Sequence, residues 1–150
     1  MAGLAYWAHK ATLEFRNNTE AVDMNGFYAS FNIDGDVLWC SDVPLLRREA
    51  HHFSIRWPSE GLAHWYAPAT TRAVLNAMLN GLSLRASYRF TITFEDKPSF
   101  WMRERGKWRD QNLVMGEWCA LVDGELARMA LHAERRAARK AANITTVVTR

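Results

Sequence analysis

The sequence predicts a single α+β domain, in which an antiparallel sheet of about four to five strands is covered on one face by helices. Apolar and polar residues alternate over 82–94, as they do in a strand with one buried face. A second alternating stretch runs into an Asp-Gly turn signal, which is typical of an antiparallel hairpin. The C-terminal part is rich in residues that favour helix. Because the chain has 150 residues, it can bury one core without disulfides or a metal, and we expect one compact domain over 1–150.

The predicted strands follow from residues that repeat with a period of two. The longest strand is 82–94, with an apolar face made by Leu84, Ala86, Tyr88, Phe90, Ile92 and Phe94. Upstream, 27–33 alternates until Asp34-Gly35, and 37–40 returns as the second arm of a hairpin. Weaker strand signals lie at 11–16 and 52–57.

Two helices are predicted to pack on this sheet. The first covers about 69–80, with Thr70 and Thr71 as candidate N-caps and Gly81 at its end. The second covers about 113–142. Asp123-Gly124 leaves an alternative open, in which a tight turn joins two strands at 118–122 and 126–131. The tail, 143–150, either adds an edge strand or frays.

The sequence also bears on compartment. Cys40 and Cys119 are far apart and show neither a disulfide framework nor a C-x-x-C pair. The N-terminal residues lack the pattern of a signal peptide, and no apolar run approaches the ~20 residues of a membrane-spanning helix. We therefore expect a cytoplasmic protein that makes no membrane contact.

Charge is distributed unevenly along the chain. Residues 1–96 carry 8 Lys and Arg against 10 Asp and Glu, whereas residues 97–150 carry 11 against 6. Of the 19 basic residues, 15 are Arg, whose guanidinium favours bidentate contacts with phosphate or carboxylate. A bias in genomic base composition would produce the same ratio. The basic C-terminal part nevertheless predicts an anionic partner.

The segment 97–112 interleaves five basic residues with Phe100, Trp101 and Trp108. Cations that neutralise phosphates beside rings that stack on bases are what single-stranded nucleic-acid binding requires. The alternative is that the Trp residues cap the core while the charges solvate a loop. The polar face of the long strand carries Arg85 and Arg89, and His52, Ser54 and Arg56 of a neighbouring strand join them if both strands lie in one sheet in suitable register; the alternative is an ordinary exposed sheet face. Further cations are predicted on the last helix, where a solvated helix face is the alternative. The predicted binding residues are Arg85, Arg89, Trp101, Arg103, Arg105, Lys107, Trp108, Arg109, Arg135, Arg136, Arg139 and Lys140.

A different function class is also open. Seven Trp residues in the chain are a high load for one core, and Trp and Arg dominate the hot spots of protein interfaces. The aromatic loop with Trp57, His64, Trp65 and Tyr66 is the predicted protein-contact patch, unless it packs its own rings onto the sheet. The corresponding function is a small inhibitor or adaptor, of the phage or immunity type, that occludes a surface of another protein. Homodimerisation through the same patch is a variant of it.

An enzyme is the third alternative. His52-Phe53-Ser54 resembles one half of the paired H-x-S/T arrangement of two-histidine phosphoesterases, which implies acid and base roles for His51 or His52. The second motif of that arrangement is absent, as are nucleotide-binding loops and short pairs of metal ligands. The expected function is therefore a non-enzymatic binding protein, with no cofactor and no metal, that contacts nucleic acid or a nucleoprotein complex.

Overall fold

The structure, a computed structural model, describes residues 3–17, 22–25, 30–59, 67–122 and 139–142. It has the predicted α+β class, with two antiparallel sheets and two long helices in this part of the chain. The helices are α1 (Leu4–Asn17) and α2 (Pro68–Gly81). The strands are β1 (Val22–Asn25), β2 (Ser30–Asp34), β3 (Val37–Cys40), β4 (Val43–Arg48), β5 (Phe53–Arg56), β6 (Tyr88–Ile92), β7 (Pro98–Glu104), β8 (Lys107–Asp110) and β9 (Trp118–Leu121).

The larger sheet has six strands in the order β1-β2-β3-β4-β5-β9. Its register aligns Ile33, Leu38, Leu46 and Ile55 as a row across four neighbouring strands. All four side chains are buried, because period-two alternation turns every second residue of each strand to the same side. This row is the centre of the core on which α1 packs through Phe15, whose ring meets that of Phe53 edge to face at 5.9 Å.

The smaller sheet, β6-β7-β8, is a meander that also contributes to the core. Phe90 and Phe100 are directly opposite each other on β6 and β7 and stack with ring centroids 4.5 Å apart. Trp57, which follows β5, reaches the ring of Phe90 at 5.9 Å. These buried aromatic rings join the two sheets, so one face of the smaller sheet is covered and the other is left outward.

The two helices pack against each other at a position where only a glycine fits. A Cβ at Gly81 of α2 would lie 2.8 Å from the Cβ of Thr12 of α1. The hydroxyl of Thr12 is buried and donates to the carbonyl of Ala8, one turn earlier in α1. None of the helices in the described residues is long and apolar enough to cross a membrane.

The predicted hairpin around Asp34-Gly35 is confirmed in β2 and β3, which pair antiparallel. The predicted strand at 52–57 is confirmed as β5, whereas the strand predicted at 11–16 is wrong because these residues belong to α1. Ala8, Ala11, Thr12 and Phe15 are buried at helical spacing. A six-residue window was too short to distinguish that period from alternation.

The long strand predicted at 82–94 is shorter in the structure. Only Tyr88–Ile92 forms β6, since 82–87 is a succession of turns after α2 and Phe94 lies in the turn before β7. Ser83 adopts a positive φ of 62°, a conformation that interrupts a strand. Leu84 is nevertheless buried, so the apolar residues of the alternating stretch serve the core without being in a strand.

The helix predicted at 69–80 is confirmed as α2, although its first turn differs from the prediction. Ala67 is the N-cap residue and Pro68 occupies the first helical position, where the missing N–H costs nothing. Thr71 lies inside the helix and donates its hydroxyl to the carbonyl of Ala67. The chain leaves the helix after Gly81.

The helix predicted at 113–142 is wrong over its first ten residues. These residues form a loop and then β9, which pairs antiparallel with β5 and places Leu121 opposite Phe53. Residues 139–142 are helical, as predicted. The alternative hairpin is confirmed only in its first strand, because 123–138, with Asp123-Gly124, and 143–150 lie outside the described residues. Pairing with β5 outweighed the local helix preference, since each strand residue buried there gains more than helix propensity offers.

The position of Cys119 on β9 leads to a test of this edge strand. Partial burial raises the pKa of the Cys119 thiol, and the nearby carboxylate of Glu117 adds a smaller increase. At about pH 8.5 we therefore expect iodoacetamide to alkylate Cys119 several-fold more slowly in the folded protein than in urea, because less thiolate is present. The measurement is mass spectrometry in a Cys40→Ala background. An equal rate in both states would contradict the burial of Cys119.

Candidate nucleic-acid interface

The outward side of the smaller sheet carries a surface that we call the basic-aromatic face, made by Arg89, Thr91, Trp101, Arg103 and Trp108. It arises because the alternate residues of the same strands, such as Phe90 and Phe100, are buried. Two of its cross-strand pairs each combine a cation with an indole. Arg89 is opposite Trp101, and Arg103 is opposite Trp108.

Contacts among these side chains hold them in place. The indole N–H of Trp101 donates to the hydroxyl of Thr91 at 2.8 Å, which ties the ring across to β6. The guanidinium of Arg89 lies over the ring of Trp108 at 4.2 Å from its centroid. A cation over an indole is attracted by the ring, and Arg stacks well there while its N–H groups remain able to donate. Arg89 and Arg103 are exposed, and both indoles are half-buried.

Helix α2 lies beside the free edge of β6. The side-chain amide of Asn76 donates to the carbonyl of Phe90 at 3.0 Å, and its oxygen accepts from the N–H of Phe90 at 2.8 Å. Asn76 therefore replaces a neighbouring strand at this position and closes the sheet edge. These two hydrogen bonds fix α2 against the side of the basic-aromatic face.

Between α2 and the basic-aromatic face there is a groove of about 450 Å³. Arg85, in the turns before β6, and Arg89, on β6, both line it, and we call it the Arg85-Arg89 groove. Its lining contains no acidic residue and is made by Ala73, Asn76, Ala77, Asn80, Arg85, Arg89, Phe90 and Trp108. Neither Arg85 nor Arg89 forms an ion pair with any residue that the structure describes. The groove therefore presents two guanidinium groups whose charges are not neutralised from the described residues.

One carboxylate shares the basic-aromatic face. Asp110 lies opposite Trp101 on β8, the strand farthest from α2. Its side chain accepts from the backbone N–H of Asn112 at 2.8 Å, which uses part of its capacity to accept hydrogen bonds. The potential on this face is thus most positive towards β6 and α2.

Other predicted binding residues lie away from the basic-aromatic face. Arg105 is in the turn between β7 and β8, while Lys107 and Arg109 point to the opposite side of the sheet. Arg109 is 3.6 Å from the carboxylate of Glu104. Further along the chain, Arg139 and Lys140 are exposed, while Arg135 and Arg136 lie outside the described residues.

The predicted grouping of His52, Ser54 and Arg56 with Arg85 and Arg89 is wrong. β5 belongs to the larger sheet and β6 to the smaller one, so these residues share no face. Arg56 is only 6% exposed, and its guanidinium donates to the carbonyls of Gly116 at 3.0 Å and Pro44 at 2.9 Å. It is a structural cation inside the fold.

The predicted protein-contact patch is described only at Trp57. Its side chain is 5% exposed and packs on Phe90, so Trp57 is a core residue. His64, Trp65 and Tyr66 lie outside the described residues.

The residues of the histidine-based alternative differ in exposure. Ser54 is buried, and its hydroxyl is 3.2 Å from the carboxylate of Glu49, to which it donates. His51 is exposed on the turn that precedes β5. No group of three or more His, Cys, Asp or Glu residues in the described part of the chain is placed to hold a metal ion.

The helical wall of the groove was not predicted from the sequence. This wall is the side of α2 opposite its buried residues, and its members repeat at helical spacing: Ala73, Asn76, Ala77 and Asn80. That these four residues share one helix face was visible in the sequence. What was not visible is that β6 lies next to it.

The contact between Asn76 and β6 provides a stability test. We expect Asn76→Ala to lower the free energy of unfolding by about 2 kcal/mol, because the N–H and carbonyl of Phe90 each lose a hydrogen bond worth about 1 kcal/mol. The measurement is urea unfolding followed by fluorescence. Asn80→Ala is the matched control on the same helix, since Asn80 is exposed and its amide is 3.5 Å from His9, and it should change stability by less than about 0.5 kcal/mol. Equal losses in the two variants would contradict the edge-closing role.

Comparisons with known proteins provide no relative: no family model, no curated protein and no solved structure matches the chain.

Proposed function

We propose that this protein binds single-stranded nucleic acid on the basic-aromatic face. The observation that supports the proposal best is the pairing of a cation with an indole in two neighbouring cross-strand positions, Arg89 with Trp101 and Arg103 with Trp108. Each pair brings together a group that neutralises a phosphate and a ring that stacks on a base. Stacking accepts any base, so the binding has little sequence preference.

A single strand fits this face better than a duplex does. The indole of Trp101 is held at the sheet surface by Thr91, where an unstacked base can stack on it. The guanidinium of Arg89 covers one face of the Trp108 ring, and a guanidinium plane is itself a surface on which a base stacks. Bases inside a duplex are already stacked on one another, so a duplex can use only the cations.

The partner and the compartment form part of the proposal. Nucleic acid alone, or within a nucleoprotein complex, is the anionic partner, and the protein acts in the cytoplasm. Cys40 and Cys119 are not joined by a disulfide in the structure, which accords with a reducing compartment.

The experiment is a fluorescence-polarisation titration with labelled single-stranded and double-stranded oligonucleotides at about 50 and 200 mM salt. We expect tighter binding of the single strand and a clear loss of affinity at the higher salt concentration, because phosphate contacts release counterions. Absence of salt-sensitive binding to either oligonucleotide would overturn the proposal.

Surface occlusion of a protein partner and His-dependent phosphodiester chemistry remain predictions from the sequence. No specific contact among the described residues favours either one over nucleic-acid binding. A protein that co-purifies in stoichiometric amount after nuclease treatment would support occlusion instead.

A further inference from the structure

The Arg85-Arg89 groove differs from the basic-aromatic face that it adjoins. The face is open, whereas the groove has a wall made by α2 and a volume of about 450 Å³, which is in the range that holds one small ligand. Arg89 and Trp108 belong to both surfaces. One ligand can therefore extend from the face into the groove.

The chemistry of the groove selects for a doubly charged anion. Two arginines line it, no acidic residue does, and neither arginine forms an ion pair with a described residue. A phosphodiester inside a strand carries one negative charge, whereas a terminal phosphomonoester carries close to two near neutral pH. The planar guanidinium group binds two oxygens of such a phosphate through paired hydrogen bonds.

The position of Arg89 is set before a ligand arrives. Its guanidinium lies over the ring of Trp108 at 4.2 Å, and Trp108 also lines the groove. Holding the cation in this position lowers the entropy cost of ordering it on an anion. The exposed side-chain amide of Asn80 on the opposite wall provides a neutral donor, whereas the amide of Asn76 is engaged by the backbone of Phe90.

We infer that the Arg85-Arg89 groove binds the terminal phosphomonoester of a single strand whose neighbouring bases lie on the basic-aromatic face. The inference rests on the proposed function, since it identifies which part of the nucleic acid the groove holds. Both ends of a strand can carry this group, and the shared chemistry is a phosphate with one ester bond.

The experiment compares four labelled single strands of one sequence: with a 5′-phosphate, with a 3′-phosphate, with hydroxyl groups at both ends, and with the terminal phosphate blocked as an ethyl ester. We expect one of the two phosphorylated strands to bind about tenfold more tightly than the hydroxyl-ended strand, a difference typical of one charge-assisted hydrogen bond. The ethyl ester should lose most of this preference, because the blocked phosphate keeps only one of its two charges and the chain is otherwise unchanged.

Arg85→Gln assigns the preference to the groove. Arg85 is exposed in the turns before β6, so the variant should fold, as a thermal melt will show. It is expected to bind the phosphorylated strand no more tightly than it binds the hydroxyl-ended one. Lys107→Gln removes a charge from the opposite side of the sheet and should keep the tenfold preference.

The outcomes separate this inference from the proposed function. Equal binding of all four strands would overturn the terminal-phosphate site and leave nucleic-acid binding in place. A preference that survives Arg85→Gln would also overturn it, because the groove would then not be the site. If no strand binds, both the inference and the proposed function are wrong.

Discussion

Arg89→Glu is expected to lower the affinity for single-stranded oligonucleotides by about a hundredfold at low salt. Arg89 is exposed, lies opposite Trp101 and stacks on Trp108, so it is the cation that links the basic-aromatic face with the Arg85-Arg89 groove. The variant loses a charged hydrogen bond worth about 1.5–3 kcal/mol and places a carboxylate against phosphate, and a hundredfold corresponds to about 2.7 kcal/mol. The measurement is polarisation across a salt series, where the slope of log affinity should also become shallower by about one unit or more.

Lys107→Glu is the matched control for this prediction. It makes the same change of charge on the same small sheet, but Lys107 points to the side opposite Arg89. Long-range repulsion alone should reduce its affinity only several-fold, because charges separated by more than about 10 Å are largely screened at 0.1 M salt. If both variants lose affinity equally, net charge rather than the basic-aromatic face governs binding.

Arg56→Met is expected to lower the free energy of unfolding by about 3 kcal/mol. The guanidinium of Arg56 is buried and donates to the carbonyls of Gly116 and Pro44, and each charged hydrogen bond contributes about 1.5–3 kcal/mol. Met keeps most of the apolar stem but leaves both carbonyls unsatisfied. These bonds tie the loop before β9 to β4 and β5, so the loss should affect the whole larger sheet. Urea unfolding measures the effect.

Arg103→Met is the control for Arg56→Met, because Arg103 is exposed on β7 and should change stability by less than about 0.5 kcal/mol. The effects on binding should be the opposite of the effects on stability. Arg103→Met should weaken oligonucleotide affinity, whereas Arg56→Met, as long as it is folded, should not. If Arg56→Met kept its stability but lost binding, Arg56 would be a binding residue and its structural role would be contradicted.

Part of the candidate site was predictable from spacing alone. Trp101 and Arg103 are two residues apart, so any strand there places them on one face. Lys107 and Arg109 have the opposite parity to Trp108, and the same rule sends them to the other side. The prediction grouped all of them because no strand was assigned to 97–112. The turn at Arg105-Gly106, where both residues have positive φ, makes it a hairpin.

The opposition of Arg89 and Trp101 was not predictable in this way. It depends on the register between β6 and β7, which aligns Phe90 with Phe100. Burial of those two rings decides the register, because a shift of β7 by one residue relative to β6 would turn Phe100 towards solvent. A core contact thus determines which cation meets which indole on the outside.

By itself, the sequence determined the α+β class, the hairpin at Asp34-Gly35, the helix ending at Gly81 and the concentration of cations and indoles after residue 96. These features depend on period and local turn chemistry, which act within a few residues. Only the tertiary structure decided that Leu4–Asn17 is a helix, that Trp118–Leu121 is a strand on β5, and that Arg56 and Arg89 serve different purposes. The physical reason is that burial against distant residues outweighs local preference. The same residue type, arginine, is a buried hydrogen-bond donor in the larger sheet and an exposed cation stacked on an indole in the smaller one, according to what packs around it.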